Sequence, residues 1–332
     1  MFSKKLGVTA LGFIIAAGMT GCGNTENNDI SAAENADSKS FSIVCTIFPE
    51  YDWVREILGG RAENADITYL LDKGIDLHSF QPTADDIMKI SSCDMFVYVG
   101  GESDEWVEDT LSDASNKDMM VINLMDILGD AAKVEEFKEG MQEEDEEDDG
   151  GTEETEYDEH IWLSLKNAEI LCTEIEKNIA AIDPENSDEY KSNLETYISQ
   201  LNELDGDFRE LIDSSSVKTL IFGDRFPFRY FVDDYGLDYY AAFVGCSAET
   251  EASFETIAFL ADKIKELDCD TVFTLENSDK SIADTVIRTS GKYVKIAELN
   301  SIQSVSKSDI DNGATYLSLM RRNYDVLKDI MK

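Results

Sequence analysis

The sequence predicts an α/β fold of two (β/α) Rossmann-like lobes with parallel sheets, joined by one long rigid helix. Short apolar runs rich in β-branched residues alternate with helical patterns in both halves of the chain, which is typical of parallel sheets covered by helices. A heptad stripe of apolar residues separates the two halves. A chain of 332 residues is also too long for one small core and suits two lobes.

The first half of the chain alternates strand and helix. Residues 41–48 (FSIVCTIF) are a compact apolar run that indicates a buried strand. Thr83 is suited to cap the helix at 84–90. Strands are predicted at 41–48, 65–71, 95–99 and 119–124, and helices at 51–58, 84–90 and 104–111. Ligands of such sheets bind beyond the carboxyl ends of the strands, and the segment after the second strand carries His78.

Two helices occupy the middle of the chain, at 166–182 and 187–212. The second would be about 39 Å long at 1.5 Å per residue. Its apolar residues follow steps of four and three: Tyr190, Leu194, Tyr197, Leu201, Leu204, Phe208 and Leu211. Such a stripe suits a coiled coil with a partner, but burial against both lobes is the interpretation that we favour.

The second half repeats the alternation without a detectable sequence repeat. Strands are predicted at 218–222, 239–244, 271–275 and 293–297, and helices at 228–234, 253–267, 281–290 and 316–331. The run 271–275 (TVFTL) ends directly before Glu276. This spacing places a carboxylate at the carboxyl edge of the second sheet.

The beginning of the chain predicts export and lipidation. Lys4 and Lys5 precede an apolar segment at 6–17 that is too short to span a bilayer, which is typical of a signal peptide. Met19-Thr20-Gly21-Cys22 resembles a bacterial lipobox, so we expect cleavage before Cys22 and lipidation of that residue. Residues 23–40 are small and polar and indicate a flexible tether.

The charge of the chain excludes some partners. The formal net charge is −42 and the isoelectric point is near 4.1, which argues against nucleic acid and against a polybasic hold on anionic lipid. Twelve of the seventeen residues at 143–159 are acidic, which predicts an open surface loop within 135–159. The loop is either a weak cation trap beside the site or a solubilising segment, and the sequence favours neither.

The chain has two histidines, His78 and His160, and the first follows a predicted strand while the second ends the acidic loop. A histidine held at such a position is well placed to be a metal ligand or a proton shuttle. Five cysteines besides Cys22 are widely spaced without a CxxC pair, which excludes a zinc knuckle and a thioredoxin motif. One disulfide among them stays open, and Cys45 and Cys172 are expected as core thiols.

The order of motifs resembles the metal-binding lipoproteins of bacterial ABC importers for zinc and manganese, most of all the zinc-binding branch. The motifs that carry the resemblance are the lipobox, GIDLHSFQPTADDIMKI, DMFVYVGGESDEW, DEHIWLSLKNA, a long helix, RYFVDDYGL, FTLEN and LNSI. Together they cover nearly all of the mature chain. The resemblance implies two (β/α) lobes joined by one rigid helix, a metal between the lobes, and delivery to a membrane permease.

The resemblance also implies a set of metal ligands. His78 matches the first ligand of the family, His160 the second, and Glu276 the carboxylate that serves as the fourth. At the third position, where the family has His or Glu, counting without a gap reaches Arg225, which cannot bind a cation. Asp224 is the candidate after a one-residue shift, and water is the other. Arg225 could instead pair with a carboxylate ligand.

We therefore expect a monomeric extracytoplasmic receptor, anchored to the outer face of the membrane through Cys22, that binds zinc and delivers it to an ABC permease without catalysing a reaction. Two imidazoles with one or two carboxylates suit tetrahedral zinc, and also suit manganese or ferrous iron at higher coordination. A surface adhesin with the same fold is an alternative. A metal-dependent hydrolase is disfavoured because HExxH is absent and Glu156 stands where HxxEH needs a histidine.

The expected domain boundaries follow from these assignments. They are a signal peptide at 1–22, a tether at 23–40, an N-terminal lobe at 41–183 that includes the acidic loop, a linking helix at 184–216, and a C-terminal lobe at 217–332.

Overall fold

A computed structural model describes residues 41–142, 156–247 and 251–331. Within these residues, eight strands form two four-stranded parallel sheets flanked by helices, which confirms the expected fold class. The predicted signal peptide, the tether and residues 143–155 of the acidic loop lie outside the described residues. None of the helices in the described part of the chain is long and apolar enough to cross a bilayer.

The first lobe contains one sheet and its helices. Its strands are β1 (Ser42–Cys45), β2 (Asp66–Tyr69), β3 (Met95–Tyr98) and β4 (Met120–Asn123). Its helices are α1 (Phe48–Leu58), α2 (Ala84–Ser92), α3 (Trp106–Ser112), α4 (Leu124–Leu128) and α5 (Leu165–Ile182). As the sequence predicts, Thr83 caps α2: its hydroxyl accepts the backbone N–H of Asp86, and the carboxylate of Asp86 accepts the N–H of Thr83.

The long helix α6 (Ser187–Ser214) leads into the second lobe. The strands there are β5 (Thr219–Phe226), β6 (Asp238–Val244), β7 (Thr271–Leu275) and β8 (Lys295–Leu299). The helices are α7 (Arg229–Tyr235), α8 (Phe254–Glu266), α9 (Ser281–Ser290), α10 (Lys307–Asp311) and α11 (Tyr316–Ile330).

The two sheets have the same topology, with strand orders β2-β1-β3-β4 and β6-β5-β7-β8. In each sheet the chain moves first to one side of the opening strand and then to the other. This reversal opens a crevice at the carboxyl ends of the central strands, where ligands of α/β sheets bind. The residues predicted for the site lie at these two crevices, at the carboxyl edge of each sheet.

Helix α6 buries its stripe inside the protein and packs against α1 and α5 of the first lobe and against α7 and α11 of the second. The buried residues are Tyr190, Leu194, Tyr197, Leu201, Leu204, Phe208 and Ile212. The last position is Ile212 where the sequence predicts Leu211, because a helix period of 3.6 residues drifts away from a strict heptad. The interpretation of a helix that lies across both lobes is therefore favoured over a coiled coil with a partner.

The first strand ends three residues earlier than the sequence predicts, and helix α1 begins at Phe48 with Pro49 in its first turn. The fully buried carboxylate of Glu50 accepts hydrogen bonds from the backbone N–H groups of Thr46 (2.8 Å) and Ile47 (3.2 Å). The N–H of Thr46 still reaches the carbonyl of Val97 (3.2 Å) in β3, and the carboxylate of Glu50 closes the next turn, so the end of the apolar run becomes the start of a helix.

One large core runs from the first sheet past α6 to the inner side of the second sheet, and a smaller cluster lies between β6, α8 and α9. Cys45 and Cys172 are buried in the large core, which confirms their prediction as core thiols. All five cysteines of the described residues are free thiols.

Candidate metal centre

His78 lies beyond the carboxyl end of β2, in a single 3-10 turn at Leu77–Ser79. The Oδ1 atom of Asp76 accepts hydrogen bonds from the backbone N–H of His78 (3.1 Å) and from its ring Nδ1 (2.7 Å). This pairing assigns the ring proton to Nδ1 and leaves the lone pair on Nε2. The Nε2 atom of His78 is buried and has no hydrogen-bond partner.

The C-terminal lobe holds Asp76 in place. The Oδ2 atom of Asp76 accepts hydrogen bonds from Nη2 of Arg225 (2.6 Å) and Nε2 of Gln303 (2.7 Å). Burial would raise the pKa of the Asp76 carboxyl, but the hydrogen bond from His78 and the charge of Arg225 lower it well below its ordinary value. Asp76 is therefore ionised and orients His78 from one side while it pairs with the second lobe on the other.

His160 repeats this arrangement at the end of the acidic loop. The Oδ1 atom of Asp158 accepts hydrogen bonds from the backbone N–H of His160 (2.8 Å) and from its Nδ1 (3.0 Å). The side chain of His160 is fully buried, and its Nε2 atom has no partner. Burial would lower the pKa of His160, but the charges of Asp158 and Glu159 raise it above its ordinary value.

The two histidine rings face each other with centroids 5.2 Å apart and ring planes inclined by 36°. Trp162 packs beside His160 and donates its indole N–H to the carbonyl of Ser301 (2.8 Å). This hydrogen bond connects the segment that carries His160 to the C-terminal lobe. The structure thus brings together the two predicted histidine ligands, each with a buried, unpartnered Nε2. Imidazole nitrogens presented in this way are ligands for zinc and related transition metals.

Glu159 is a third group at the centre that the sequence did not single out. It is 2% exposed, its Oε1 atom accepts the backbone N–H of Ser103 (2.9 Å), and its Oε2 atom has no partner. That free oxygen lies 3.7 Å from Nε2 of His78. A Cβ atom at Gly101, whose φ is +86°, would lie 2.4 Å from Oε1, so glycine is required for the carboxylate to fit.

Cys246 is the fourth group. Among the described residues, one set of possible metal ligands has all its donor atoms within 4.8 Å of one another, and it consists of His78, His160 and Cys246. Burial and the nearby charge of Asp158 raise the pKa of the Cys246 thiol well above its ordinary value, so without a cation the thiol is protonated.

Asp224 and Glu276, the two carboxylates predicted as ligands, make other contacts. Asp224 lies within a register shift of β5, between Phe222 and Arg225, and borders the same cavity of about 350 Å³ as His78. Its oxygens accept the backbone N–H groups of Arg225 (2.9 Å) and Leu275 (3.1 Å). Both oxygens of Glu276 are hydrogen-bonded to Ser301, from its N–H (2.7 Å) and its hydroxyl (2.6 Å). Their ligand roles stay predictions.

The sequence contains a signal for the orienting residues that a search for ligands alone overlooks. An aspartate stands two residues before each histidine, in Asp76-Leu77-His78 and Asp158-Glu159-His160. Asp side chains readily accept the backbone N–H two residues on, and here the same oxygen also reaches the ring. Cys246 gives no comparable signal, beyond its place just after the end of β6.

Comparisons with known proteins identify similar sequences and structures. The family model ZnuA, described as zinc-uptake complex component A, periplasmic, matches residues 43–330. The high-affinity zinc uptake system protein ZnuA of Bacillus subtilis is 30% identical over 336 residues, covering 99% of this chain and 98% of that protein. The zinc-binding protein AdcA of Streptococcus pyogenes serotype M18 is 26% identical over 298 residues.

The alignment with AdcA covers 86% of this chain but 55% of the relative, so the chain spans about half the length of that protein. A solved structure is similar as well: the Zn(II)-bound ZnuA-like domain of Streptococcus pneumoniae AdcA. It has a TM-score of 0.68 and 26% identity, and the match covers 88% of this chain and 99% of that domain. The expected resemblance to the zinc-binding branch is thereby confirmed.

Proposed function

The chain belongs to the ZnuA family of periplasmic zinc-uptake components, and from this we propose that it is an extracytoplasmic receptor that captures zinc and delivers it to an ABC permease. The family is one of solute-binding receptors and not of enzymes. A carrier of this kind needs a centre that captures the ion and later releases it, with no reaction between.

One observation carries the proposal: two imidazole rings lie with centroids 5.2 Å apart, and each has a buried Nε2 atom without a hydrogen-bond partner. Leaving a buried polar atom unpaired costs about 1–3 kcal/mol, and a bound cation would remove that cost at both rings. The aspartates on the opposite ring nitrogens raise the basicity of the ligand atoms and fix their direction, as the outer partners of zinc-bound histidines do. We therefore propose His78 and His160 as zinc ligands.

Zinc fits these donors better than the alternatives. Two imidazoles suit zinc and also ferrous iron, whereas manganese prefers a sphere made mainly of oxygen atoms. The relatives are named as zinc-binding or zinc-uptake proteins, in keeping with this choice. Manganese and iron remain the competing ions to test.

The membrane partners are proposed from the sequence. Cys22 would carry the lipid anchor and residues 23–40 would tether the folded part, which we divide into an N-terminal lobe (41–183), a linking helix (184–216) and a C-terminal lobe (217–332). Two or more acyl chains hold a protein stably at a bilayer, whereas one holds it weakly. Replacing Cys22 with serine should move the protein from the detergent phase to the aqueous phase in detergent-phase partitioning; unchanged partitioning would remove the anchor from the proposal.

Calorimetric titration of the mature chain with zinc, manganese and ferrous iron tests the receptor function. We expect zinc to bind with a dissociation constant below about 1 μM, which corresponds to about −8 kcal/mol, and His78→Ala and His160→Ala to weaken it strongly. Glu195→Gln, on the exposed face of α6, controls for loose binding to this acidic surface. Binding weaker than micromolar for every metal would refute the proposal, and so would histidine variants that both bind zinc as tightly as the wild type.

A further inference from the structure

We propose that Cys246 is a third protein ligand of the zinc and that Glu159 is the fourth, which makes the centre a His₂–Cys–carboxylate site. This inference rests on the proposed function and specifies its binding site. Cys246, from another loop, would take the place of the family's third metal ligand, where this chain has Arg225.

The distances between donor atoms support this set. The donors of His78, His160 and Cys246 lie within 4.8 Å of one another, and Oε2 of Glu159 is 3.7 Å from Nε2 of His78. Donors on a tetrahedral zinc stand about 3.4–3.6 Å apart, given bonds of about 2.0–2.3 Å. The two histidines and Cys246 must therefore move slightly closer together to share one ion, and Glu159, which is near His78 but outside the 4.8 Å set, must turn its free oxygen toward them.

The fold brings Cys246 to the histidines. Strand β6 ends at Val244, and Gly245 follows without a side chain. A Cβ atom on Gly245 would lie 3.0 Å from Cε1 of the His160 ring, so the absence of a side chain lets the backbone lie against that ring. The next residue, Cys246, lines a cavity of about 240 Å³ together with His78 and Glu159.

A second, independent observation identifies this place as one for a cation. Nε2 of His160 and Oε2 of Glu159 are both buried without a partner, and both side chains are less than a tenth exposed. The other neighbours on the C-terminal lobe make contacts of their own, and among the described residues of that lobe Cys246 alone belongs to the 4.8 Å set. Arg225 pairs with Asp76 and with the carbonyl of Ser247 (3.3 Å), and Glu276 is held by two hydrogen bonds.

The charge of the set matches a divalent ion. Two neutral imidazoles, one thiolate and one carboxylate carry two negative charges, which balance Zn²⁺. On binding, the thiol of Cys246 loses its proton to solvent, and the thiolate donates an electron pair to the metal. A sulfur ligand favours zinc over manganese, which prefers oxygen. The cysteine ligand therefore gives this receptor a chemical basis for discriminating between those two ions.

Cobalt spectroscopy tests the sulfur ligand directly. Co²⁺ is titrated anaerobically into the reduced mature chain, and the sulfur-to-cobalt charge-transfer band in the near ultraviolet is followed beside the visible ligand-field bands. Cys246→Ser is compared with Cys269→Ser, a matched control with another half-buried thiol of the same lobe, which donates to the carbonyl of Thr271 (2.9 Å). Zinc affinity is measured for each variant by competition with a chromophoric chelator.

We expect the charge-transfer band in the wild type and in Cys269→Ser and its loss in Cys246→Ser. Zinc affinity of Cys246→Ser should fall at least as much as for loss of an outer partner, about 10- to 100-fold. Glu159→Gln should keep the band, shift the ligand-field spectrum and weaken zinc binding. Cobalt binding without the band, or a band that persists in Cys246→Ser, overturns the sulfur ligand while the receptor function stands. Failure of the wild type to bind either metal overturns both.

Discussion

The carboxyl edges of the two sheets have the same topology but differ in how their donor atoms are used. On the edge of the first sheet, Nε2 of His78 and of His160 is buried without a partner. On the edge of the second, the carboxylates of Asp224 and Glu276 accept hydrogen bonds on both oxygens. The imidazole nitrogens of the first edge are thus open, whereas each carboxylate oxygen of the second edge already uses one of its lone pairs.

The two lobes also contribute to the site in different ways. The first lobe supplies the open imidazole donors, while Arg225 and Gln303 of the second lobe hold Asp76 and so fix the ring of His78. Arg225 cannot bind a cation itself, and its contact with Asp76 orients the ring of His78. The second lobe also brings Cys246, in the loop after β6, to within 4.8 Å of the two histidine donors.

The largest expected effect comes from removing an open donor. Structural zinc sites release about 10–16 kcal/mol over four ligands, so His160→Ala should cost about 3 kcal/mol, or more than about 100-fold in zinc affinity. Chelator competition measures this loss, and thermal unfolding without metal checks that the variant is folded. Affinity within a few-fold of the wild type would contradict the assignment of open donors to the first lobe.

The first lobe should also dominate the pH dependence of stability. Burial and the charge of Glu56 raise the pKa of Asp52 to about 7, against a hydrogen bond from the backbone N–H of Tyr316. An acid with a raised folded pKa makes the folded state less stable as pH rises from about 4 to about 7. Asp52→Asn removes this loss and should stabilise the protein by about 2 kcal/mol at pH 8, with an upper limit of about 4 kcal/mol.

Denaturant unfolding at pH 5 and pH 8 measures this gain. The exposed residue Glu63 provides the control, since Glu63→Gln should leave the difference between the two pH values as in the wild type. If Asp52→Asn showed the same pH dependence as the wild type, the buried acid of the first lobe would not be its source.

The two aspartates behind the histidines are expected to contribute less than the ligands. Asp76→Asn and Asp158→Asn keep an acceptor oxygen but remove its charge, so each should lower zinc affinity about tenfold, or about 1.4 kcal/mol. Asp76→Asn should in addition weaken the contact with Arg225, and Asp158→Asn should not. Hydrogen exchange of residues 303–307 reports that second effect. Equal exchange in both variants would show that Asp76 does not couple the lobes.

The smallest effect on zinc is expected from the engaged carboxylates. Glu276→Gln should change zinc affinity less than about fivefold, because Glu276 is not in the set of described donors that lie within 4.8 Å of one another, and the altered contact with Ser301 should cost about 1 kcal/mol of folding stability. Asp224→Asn should behave in the same way. If Glu276 is a ligand, as the sequence predicts, its loss should instead equal that of His160→Ala, and chelator competition separates the two outcomes.

Much of the fold could be predicted from the sequence because local residue patterns define most of its strands and helices. Strand β7 and helix α9 have the predicted bounds, since an apolar run and a helical pattern with clear ends define them. The end of β1 was placed too late because the Glu50 carboxylate bonds backbone amides that the apolar pattern alone assigns to a strand.

The site was less accessible to sequence reasoning. The histidines could be singled out by their scarcity and by the motifs around them. The approach of Cys246 to His160 depends on where β6 ends and on the packing of Gly245 against a ring from the other lobe. The partners of Asp224 depend on a register shift in β5. Such distances between segments far apart in sequence leave no local pattern to read.

X-ray absorption at the zinc edge of the loaded mature chain tests the central claim most directly, because it counts the ligands of the bound ion. We predict scattering from two imidazole rings, with nitrogen at about 2.0–2.1 Å from the metal. A first shell of oxygen atoms alone, without imidazole scattering, would contradict the convergence of His78 and His160 on one zinc ion.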